Sequence, residues 1–333
     1  RAWIRSPGGD TASGHRLPIG GAMTLSAVQN KAYIEPLTEV LARPGELPDV
    51  ETFRIAAYNV YNLFGEDPDV YSQRPNPPTP DEQLDALGEM IRNLDADVIA
   101  FEEVQNEKVL ANLFRTRINP RIRDSAFRFS SFVLVPSRDP RGINVALATR
   151  LAVNGSLTFH DREFGDQGER ATRFSRDLLG VDLFATPTYR FLLFVAHLKS
   201  KMGGAPSQTK REIETTEIRT IIEKPQFGAG QPYIEQDMVV CGDMNEDPGQ
   251  EPIEILKGKD GAKPLRDILA DGGPTYPTHT RYRKTRLDYI FASPSIAIEG
   301  AKVHRNDVDA NVDLEVARKA SDHFPVSATV RVR

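Results

Sequence analysis

The most informative segment of the chain is Val239-Val240-Cys241-Gly242-Asp243-Met244-Asn245. It begins with an apolar, β-branched run typical of a buried strand and delivers Asp243 and Asn245 at its end. Four further segments have the same character, with Asn, Glu, Asp or His at the end of an apolar run: residues 57–59, 100–104, 195–199 and 321–325. Strands that end at one edge of a sheet bring such side chains together. A polar site is therefore predicted at one rim of the fold.

The residue types in this set indicate one kind of chemistry. Carboxylate and amide oxygens are the ligands that hard cations prefer. Histidines beside carboxylates form acid and base pairs. Together they predict metal-assisted phosphoryl chemistry.

The composition is that of a globular protein. The chain has 333 residues, of which 39% are hydrophobic, enough for one large domain or two smaller ones. No run approaches the ~20 apolar residues of a membrane span, so any membrane contact is expected to be peripheral. The formal net charge of -5 gives no overall signature of nucleic-acid binding, but it is compatible with a local basic rim. Cys241, the single cysteine, lies in a predicted buried strand and forms no internal disulfide.

Residues 1–50 are predicted to be an N-terminal extension or linker, because they carry Gly-Gly pairs and scattered prolines. Residues 51–333 are predicted to form the catalytic domain. The chain begins at Arg1 rather than at Met, which fits either a removed export signal or an artificial boundary. We therefore expect a secreted or periplasmic protein, with a cytoplasmic location as the alternative.

Hydrophobic spacing predicts an α/β protein. Helical spacing follows Asp81, and a second helix is predicted over residues 208–223. Strands are predicted over residues 53–58, 97–101, 129–135, 144–149, 191–196, 238–242, 288–292 and 326–330. Residues 65–80 contain five prolines and are predicted to form a surface loop that can overhang the site. Strands interspersed with helices are typical of an α/β protein.

The wording of these segments resembles the endonuclease/exonuclease/phosphatase superfamily, the deoxyribonuclease I-like group that also includes abasic-site endonucleases and neutral sphingomyelinases. The matching segments are Asn59-Val60-Tyr61-Asn62-Leu63-Phe64, Glu103-Val104-Gln105-Asn106, His197-Leu198-Lys199-Ser200-Lys201 and Gly242-Asp243-Met244-Asn245-Glu246-Asp247-Pro248. They look most like the bacterial, often exported, branch. The resemblance covers roughly residues 52–331 and implies a four-layer αββα sandwich, in which two packed mixed β-sheets are flanked by helices. It also implies a site at the top edge between the sheets.

The resemblance also implies the metal ligands. Glu103 would bind Mg²⁺ or Mn²⁺, with Ca²⁺ as a further candidate, and Asn59 and Asp322 would complete the coordination directly or through water. The residue before this glutamate is usually Gln in the family, whereas this chain has Glu102. Strand alternation lets only one of the two adjacent carboxylates face the site.

Five residues carry the chemistry that the resemblance implies. Asp243 would align and deprotonate the attacking water, and Asn245 would donate to a phosphate oxygen. Asp288 would orient His323, which would stabilise the transition state or take a proton. His197 would bind a phosphate oxygen or protonate the leaving group.

Four residues are predicted to contact the substrate: Asn144, Lys199, Arg176 and Arg283. Asn144 is also a candidate partner for His197. Arg283 belongs to a basic cluster over residues 281–286, which is typical either of a phosphate-backbone contact or of a solvated hairpin.

Three functions stay open at this point. The first is a nuclease-type phosphodiesterase that acts on DNA or RNA, which the residues of the motifs and the basic clusters favour. The second is a phosphatase or phosphodiesterase for a small or lipid phosphoester, which the acidic net charge favours. The third is a catalytically inactive binding module. A monomer is expected in each case.

Overall fold

The computed structural model describes residues 33–34, 50–66, 76–165, 171–224, 231–259, 263–278 and 284–333. The chain divides after Lys31, and all the described residues belong to the unit of residues 32–333. Most of the predicted N-terminal extension lies outside the described residues. Its strand Tyr33–Ile34 pairs with residues 133–134, so this part of it belongs to a sheet of the domain.

The strands are β1 Tyr33–Ile34, β2 Thr52–Leu63, β3 Val98–Val104, β4 Ser131–Leu134, β5 Asn144–Thr149, β6 Ala152–Leu157, β7 Leu179–Phe184, β8 Arg190–His197, β9 Met238–Asp243, β10 Arg266–Asp267, β11 Asp288–Ala292, β12 Ala297–Val303 and β13 Val326–Arg331. The α-helices are α1 Asp81–Leu94, α2 Glu107–Leu113, α3 Ala205–Glu223, α4 Glu251–Lys257 and α5 Leu314–Ala320. None of the helices in the described part of the chain has the length and apolar character needed to span a bilayer.

The strands form two mixed sheets. The seven-stranded sheet has the order β1-β4-β5-β3-β2-β13-β12, and the six-stranded sheet has the order β10-β11-β9-β8-β7-β6. Each sheet contains one parallel pair, β2 with β3 and β8 with β9, while the other neighbours are antiparallel. Parallel neighbours need a crossover, which α1 and α3 provide. In both parallel pairs the carboxyl ends of the strands reach the same rim.

Alternating side chains explain why the sheets stack. In β8, Leu193 and Val195 face the interior between the sheets, whereas Leu192 and Phe194 face outward and pack with residues of α3 and α4. On the other side, α1 packs against the seven-stranded sheet and contacts α5. Both sheets thus bury two faces, and the predicted αββα sandwich is confirmed.

All the predicted strands and both predicted helices are present, but several elements were missed. The edge strands β6 and β12 are examples, since most of their side chains are exposed or half-buried. A strand with both faces partly in water carries no apolar run, which is the signal that the prediction used.

A buried polar cluster anchors the chain beside β13. His304 Nδ1 lies 2.8 Å from Asp309 Oδ2, and His304 Nε2 lies 2.8 Å from Ser327 Oγ. Lys302 Nζ donates to the same Asp309 oxygen at 2.8 Å. Burial, followed by the charge of Lys302, lowers the pKa of His304 to about 4. The folded protein therefore holds this imidazole in its neutral form.

This cluster predicts acid sensitivity. Below pH ~6.5 the unfolded chain protonates His304, but the folded chain does not until pH about 4, so stability falls as pH falls through this window. The loss is on the order of 3 kcal/mol. We expect the unfolding free energy of His304→Gln, measured with urea between pH 7 and pH 4, to fall less steeply than that of the wild type. Parallel curves would contradict the assignment.

Candidate active site

Three predicted catalytic side chains lie in one row across the six-stranded sheet. The pairing register places His197 on β8 opposite Asp243 on β9, and Asp243 opposite Asp288 on β11. Along β8 and β9, His197 and Asp243 alternate in phase with Val195 and Cys241, which face the interior. The row therefore faces the other sheet at the rim where the strands end.

The seven-stranded sheet contributes residues from the opposite side. Asn59, near the end of β2, donates from Nδ2 to Asp243 Oδ2 at 3.1 Å. Ser321, just before β13, donates from Oγ to the carbonyl oxygen of Asn59 at 2.7 Å and accepts the backbone N–H of His323 at 3.0 Å. Pairing of β13 with β2 thus delivers His323 to the row on the facing sheet.

Asp288 and His323 are in direct contact. The Nδ1 atom of His323 lies 2.8 Å from Asp288 Oδ2, and its Nε2 atom points toward Asp243 Oδ2 at 3.9 Å and Asp322 Oδ1 at 4.0 Å. Burial opposes the charged imidazolium, but the carboxylates of Asp288 and Asp243 outweigh it and raise the pKa of His323 well above its usual value. Tyr276 packs on the imidazole with ring centroids 4.9 Å apart.

Asp243 is the central acceptor of the site. Its Oδ1 accepts the backbone N–H of Asn245 at 2.8 Å, and its Oδ2 lies 3.5 Å from His197 Nε2. Burial raises the pKa of Asp243 to about 7 against the opposing effect of His323. A carboxyl group poised near neutrality suits a general base.

The end of β9 and the turn that follows it each need an unusual backbone conformation. Gly242 has φ 128°, and a Cβ there would lie 2.2 Å from the carbonyl oxygen of Ala196 and 2.7 Å from Glu102 Oε1. Asn245 has φ 51°, and its side-chain amide donates to the carbonyl oxygen of Leu198 at 3.1 Å. Only glycine fits the first position. The second is a left-handed conformation that Asn tolerates better than most residues.

His197 is held as a neutral imidazole. Burial and the positive charges of Arg176 and Arg141 lower its pKa well below the usual value. Its Nδ1 atom is buried without a hydrogen-bond partner in the described structure, so Asn144 is not its partner. A neutral ring with an unused nitrogen can accept or donate a hydrogen bond according to its tautomer.

The two adjacent glutamates point in different directions. Glu103 adopts the left-handed conformation, with φ 65°; its Oε2 accepts the backbone N–H of Asn62 at 3.1 Å, and its side chain is 12% exposed at the rim. Glu102 is 0% exposed, and neither of its oxygens has a hydrogen-bond partner in the described structure. Burial, then Asp288 and Asp243, raises the pKa of Glu102 well above its usual value.

The four residues predicted to contact the substrate differ in their surroundings. Asn144 accepts the N–H of Ser137 and donates to two backbone carbonyl oxygens, which uses its whole amide to join β5 to the end of β3. Arg176 is buried and pairs with Asp139 at 3.0 Å. Lys199 is half-buried beside the site. Arg283 lies outside the described residues.

Sequence reasoning missed the side chains of α3 that hold the site loops. Arg211 donates from Nε and Nη2 to Glu246 Oε2 at 3.0 and 2.8 Å. Its Nη1 donates to the carbonyl oxygens of Lys199 and Ser200 at 3.1 and 3.2 Å. The loops after β8 and β9 are thereby fixed to one guanidinium. Glu214, one turn further along the helix, accepts the N–H of Lys199 at 2.9 Å.

A signal for these residues did exist. Arg211 and Glu214 lie three residues apart and so share the helix face that Ile218 and Ile221 bury. Charged residues on an otherwise apolar helix face need buried partners. The sequence could have shown that partners were required, but not which backbone groups would supply them.

The donor set at the rim fits a hard cation in its chemistry. Asn59, Glu103 and Asp322 offer amide and carboxylate oxygens, and the buried Oδ1 of Asp288 has no hydrogen-bond partner among the described residues and would be compensated by a nearby cation. Among the described residues, no three His, Cys, Asp or Glu side chains converge closely enough to enclose a metal by themselves. A cation here would therefore share its coordination with water and substrate, as Mg²⁺ often does.

Residues 56–323 match the Endonuclease/Exonuclease/phosphatase family, and the chain belongs to this family. The membership identifies it as a hydrolytic phosphoesterase. None of the curated proteins compared with the chain matches it in sequence.

Solved structures show the same fold. A mannosyl-6-phosphatase from Bacteroides thetaiotaomicron VPI-5482 is 17% identical with a TM-score of 0.56, and the match covers 84% of this chain and 100% of that one. The human Nocturnin catalytic domain, solved with a bound sulfate anion, is 16% identical with a TM-score of 0.55 over 90% of this chain and 97% of that one. At such identities the likeness is one of fold.

The contact between Asp288 and His323 predicts that the two act as a unit. Removing either side chain should lower kcat by a factor on the order of 10² or more, because acid, base and charge-stabilising groups contribute on this scale. The double variant should be scarcely slower than His323→Ala alone. Steady-state kinetics on a small phosphoester, with folding checked by circular dichroism, measures this. Losses that multiply would show that Asp288 acts independently of His323.

Proposed function

We propose that the chain is a divalent-metal-dependent phosphoesterase that cleaves a P–O bond by in-line attack of water. The observation that carries this proposal is the row of His197, Asp243 and Asp288, completed from the facing sheet by Asn59 and His323. The row brings together a candidate base, Asp243, with the charged imidazolium of His323 and the neutral imidazole of His197. Such preorganised groups stabilise the charge that develops on a transferring phosphoryl group.

Each residue has a role that follows from its surroundings. Asp243 orients the attacking water and takes its proton, since its raised pKa makes it a stronger base than an ordinary carboxylate. His323, held charged by Asp288, stabilises the phosphate oxygens. His197 is neutral and supplies a hydrogen bond to the phosphate or to the leaving group.

Asn59, Glu103 and Asp322 would hold the divalent cation, which we propose to be Mg²⁺ or Mn²⁺. When bound, it supplies positive charge that offsets the phosphate oxygens as the P–O bond breaks. The oxygen-only donor set supports this choice.

A small phosphoester is the substrate that the described residues favour. Two of the arginines considered for a phosphate-backbone contact are buried in ion pairs: Arg176 with Asp139 at 3.0 Å and Arg286 with Asp267 at 2.5 Å. Neither is free to follow a polyanion. The likeness in fold to a mannosyl-6-phosphatase is consistent with this choice.

A nuclease-type phosphodiesterase is the second candidate. Lys284 is exposed and lies beside the segment of Arg281 and Arg283, which falls outside the described residues. The positive charge of these residues would suit a nucleic-acid backbone. The nuclease activity expected from the motif wording therefore stays a prediction, as do export and the monomeric state.

A substrate panel separates these candidates. Purified protein with Mg²⁺ or Mn²⁺ is assayed on p-nitrophenyl phosphate, bis-p-nitrophenyl phosphate, plasmid DNA and RNA. Turnover of the small esters without nucleic-acid cleavage supports the first candidate, and the reverse supports the second. No turnover with any metal would reject the phosphoesterase proposal and favour a binding module.

Metal binding provides a sharper test of the ligand assignment. Chelation should abolish activity. Glu103→Gln should weaken Mn²⁺ binding, measured by calorimetry, by roughly 10-fold or more, because loss even of a supporting residue around a metal costs about 10–100-fold. Glu102→Gln is the matched control and should change Mn²⁺ affinity only slightly, since its side chain lies beneath the rim. The opposite order would make Glu102 the ligand.

A further inference from the structure

The loop between β4 and β5 brings Arg141 to the active-site rim, in addition to Arg176. β5 begins at Asn144, which pairs with Val104 at the rim end of β3, so the preceding residues 136–143 lie at that edge. The backbone of Arg141 is fixed there. Its N–H donates to Asp139 Oδ1 at 2.8 Å, and its carbonyl oxygen accepts from Asn76 at 2.7 Å.

The side chain of Arg141, in contrast, is loosely held. Its Nη2 lies 3.8 Å from Glu103 Oε1 and its Nε lies 3.6 Å from Asp139 Oδ1, both too long for a hydrogen bond. None of the five N–H donors of this guanidinium donates a hydrogen bond to any residue that the structure describes. The side chain is 49% exposed, so its donors are open to a ligand.

The charge of Arg141 is also incompletely balanced. Asp139 already pairs more closely with Arg176, whose Nε lies 3.0 Å from its other oxygen. The second neighbour, Glu103, is the proposed metal ligand. Once Glu103 binds a cation, two guanidinium groups share the single carboxylate of Asp139. After burial, the charges of both arginines lower the pKa of His197, so their positive charge reaches the proposed phosphate site.

We propose that Arg141 is a specificity-determining residue that binds a non-bridging oxygen of the substrate phosphate and favours a phosphomonoester over a phosphodiester. This rests on the proposed phosphoesterase function. The planar guanidinium fork matches two oxygens of one phosphate. A monoester is a dianion with three non-bridging oxygens, whereas a diester is a monoanion with two. An additional cation at the rim therefore stabilises the bound monoester more strongly.

Arg138 provides a matched control in the same loop. It is three residues away and 60% exposed, but its Nη2 forms an ion pair with Asp161 Oδ1 at 2.8 Å, so its charge is already closely paired. Removing Arg138 takes away a positive charge of the same loop that already has a close partner. It is not part of the catalytic or binding machinery.

The test compares Arg141→Ala, Arg141→Lys and Arg138→Ala with the wild type, using p-nitrophenyl phosphate and bis-p-nitrophenyl phosphate with Mg²⁺. We expect Arg141→Ala to lower kcat/KM roughly 10- to 100-fold for the monoester and less than about 3-fold for the diester, as for loss of a charge-assisted hydrogen bond. Arg141→Lys keeps the charge and should recover part of the loss. Arg138→Ala should stay within about 2-fold on both. Equal losses on both esters for Arg141→Ala would overturn the proposal.

A binding measurement keeps this test independent of turnover. Titration of inorganic phosphate into the Mg²⁺-containing protein by calorimetry should give a Kd that rises about 10-fold or more in Arg141→Ala and not in Arg138→Ala. An unchanged Kd, or no phosphate binding by the wild type, would overturn the role of Arg141. If the wild type binds phosphate through Arg141 but hydrolyses no ester, the proposed function fails while the anion site stands.

Discussion

The hydrogen bond from Asn59 to Asp243 joins the two sheets at their common rim, and the site depends on it. Asp243 stands at the end of β9, and Asn59 stands near the end of β2 in the other sheet, with 3.1 Å between their polar atoms. His197 and His323 are both arranged around the same carboxylate, at 3.5 and 3.9 Å. The sheets must therefore stack in one register for the two histidines to lie around this one carboxylate.

Stacking the sheets in this way buries more carboxyl groups than the histidines can pair with. Glu102 lies beneath Asp243 and Asp288 without a hydrogen-bond partner among the described residues, and the burial of such a group is unfavourable. The cost is carried by an apolar interior that extends across both sheets. A concentration of carboxyl groups at one rim supports the proposed cation, which would in turn favour a bound phosphate. The same buried carboxyl groups thus make the rim costly to bury and give it a preference for a cation.

Much of the fold and part of the site were predictable from the sequence, because both depend on local patterns. Apolar runs identified the central strands, and polar residues next to those runs made Asp243 and His323 candidates, which the structure brings to one rim. The other features of the site depend on contacts between residues that are distant in the sequence. The alternation rule could not choose between Glu102 and Glu103, since the left-handed conformation of Glu103 breaks the alternation. No sequence pattern pointed to Arg141, because its proposed role depends on guanidinium donors that make no hydrogen bond to the described residues.

The pairing of β13 with β2 has a consequence for synthesis of the protein. β2 is among the first strands to leave the ribosome, yet its neighbour begins only at Val326. Until then, one edge of β2 has no strand to pair with, and His323 is absent from the rim. Unpaired edges invite association with other chains, so β2 is exposed to mispairing until β13 has been made. The same delay leaves the rim of the two sheets without His323 until β13 is ready to pair.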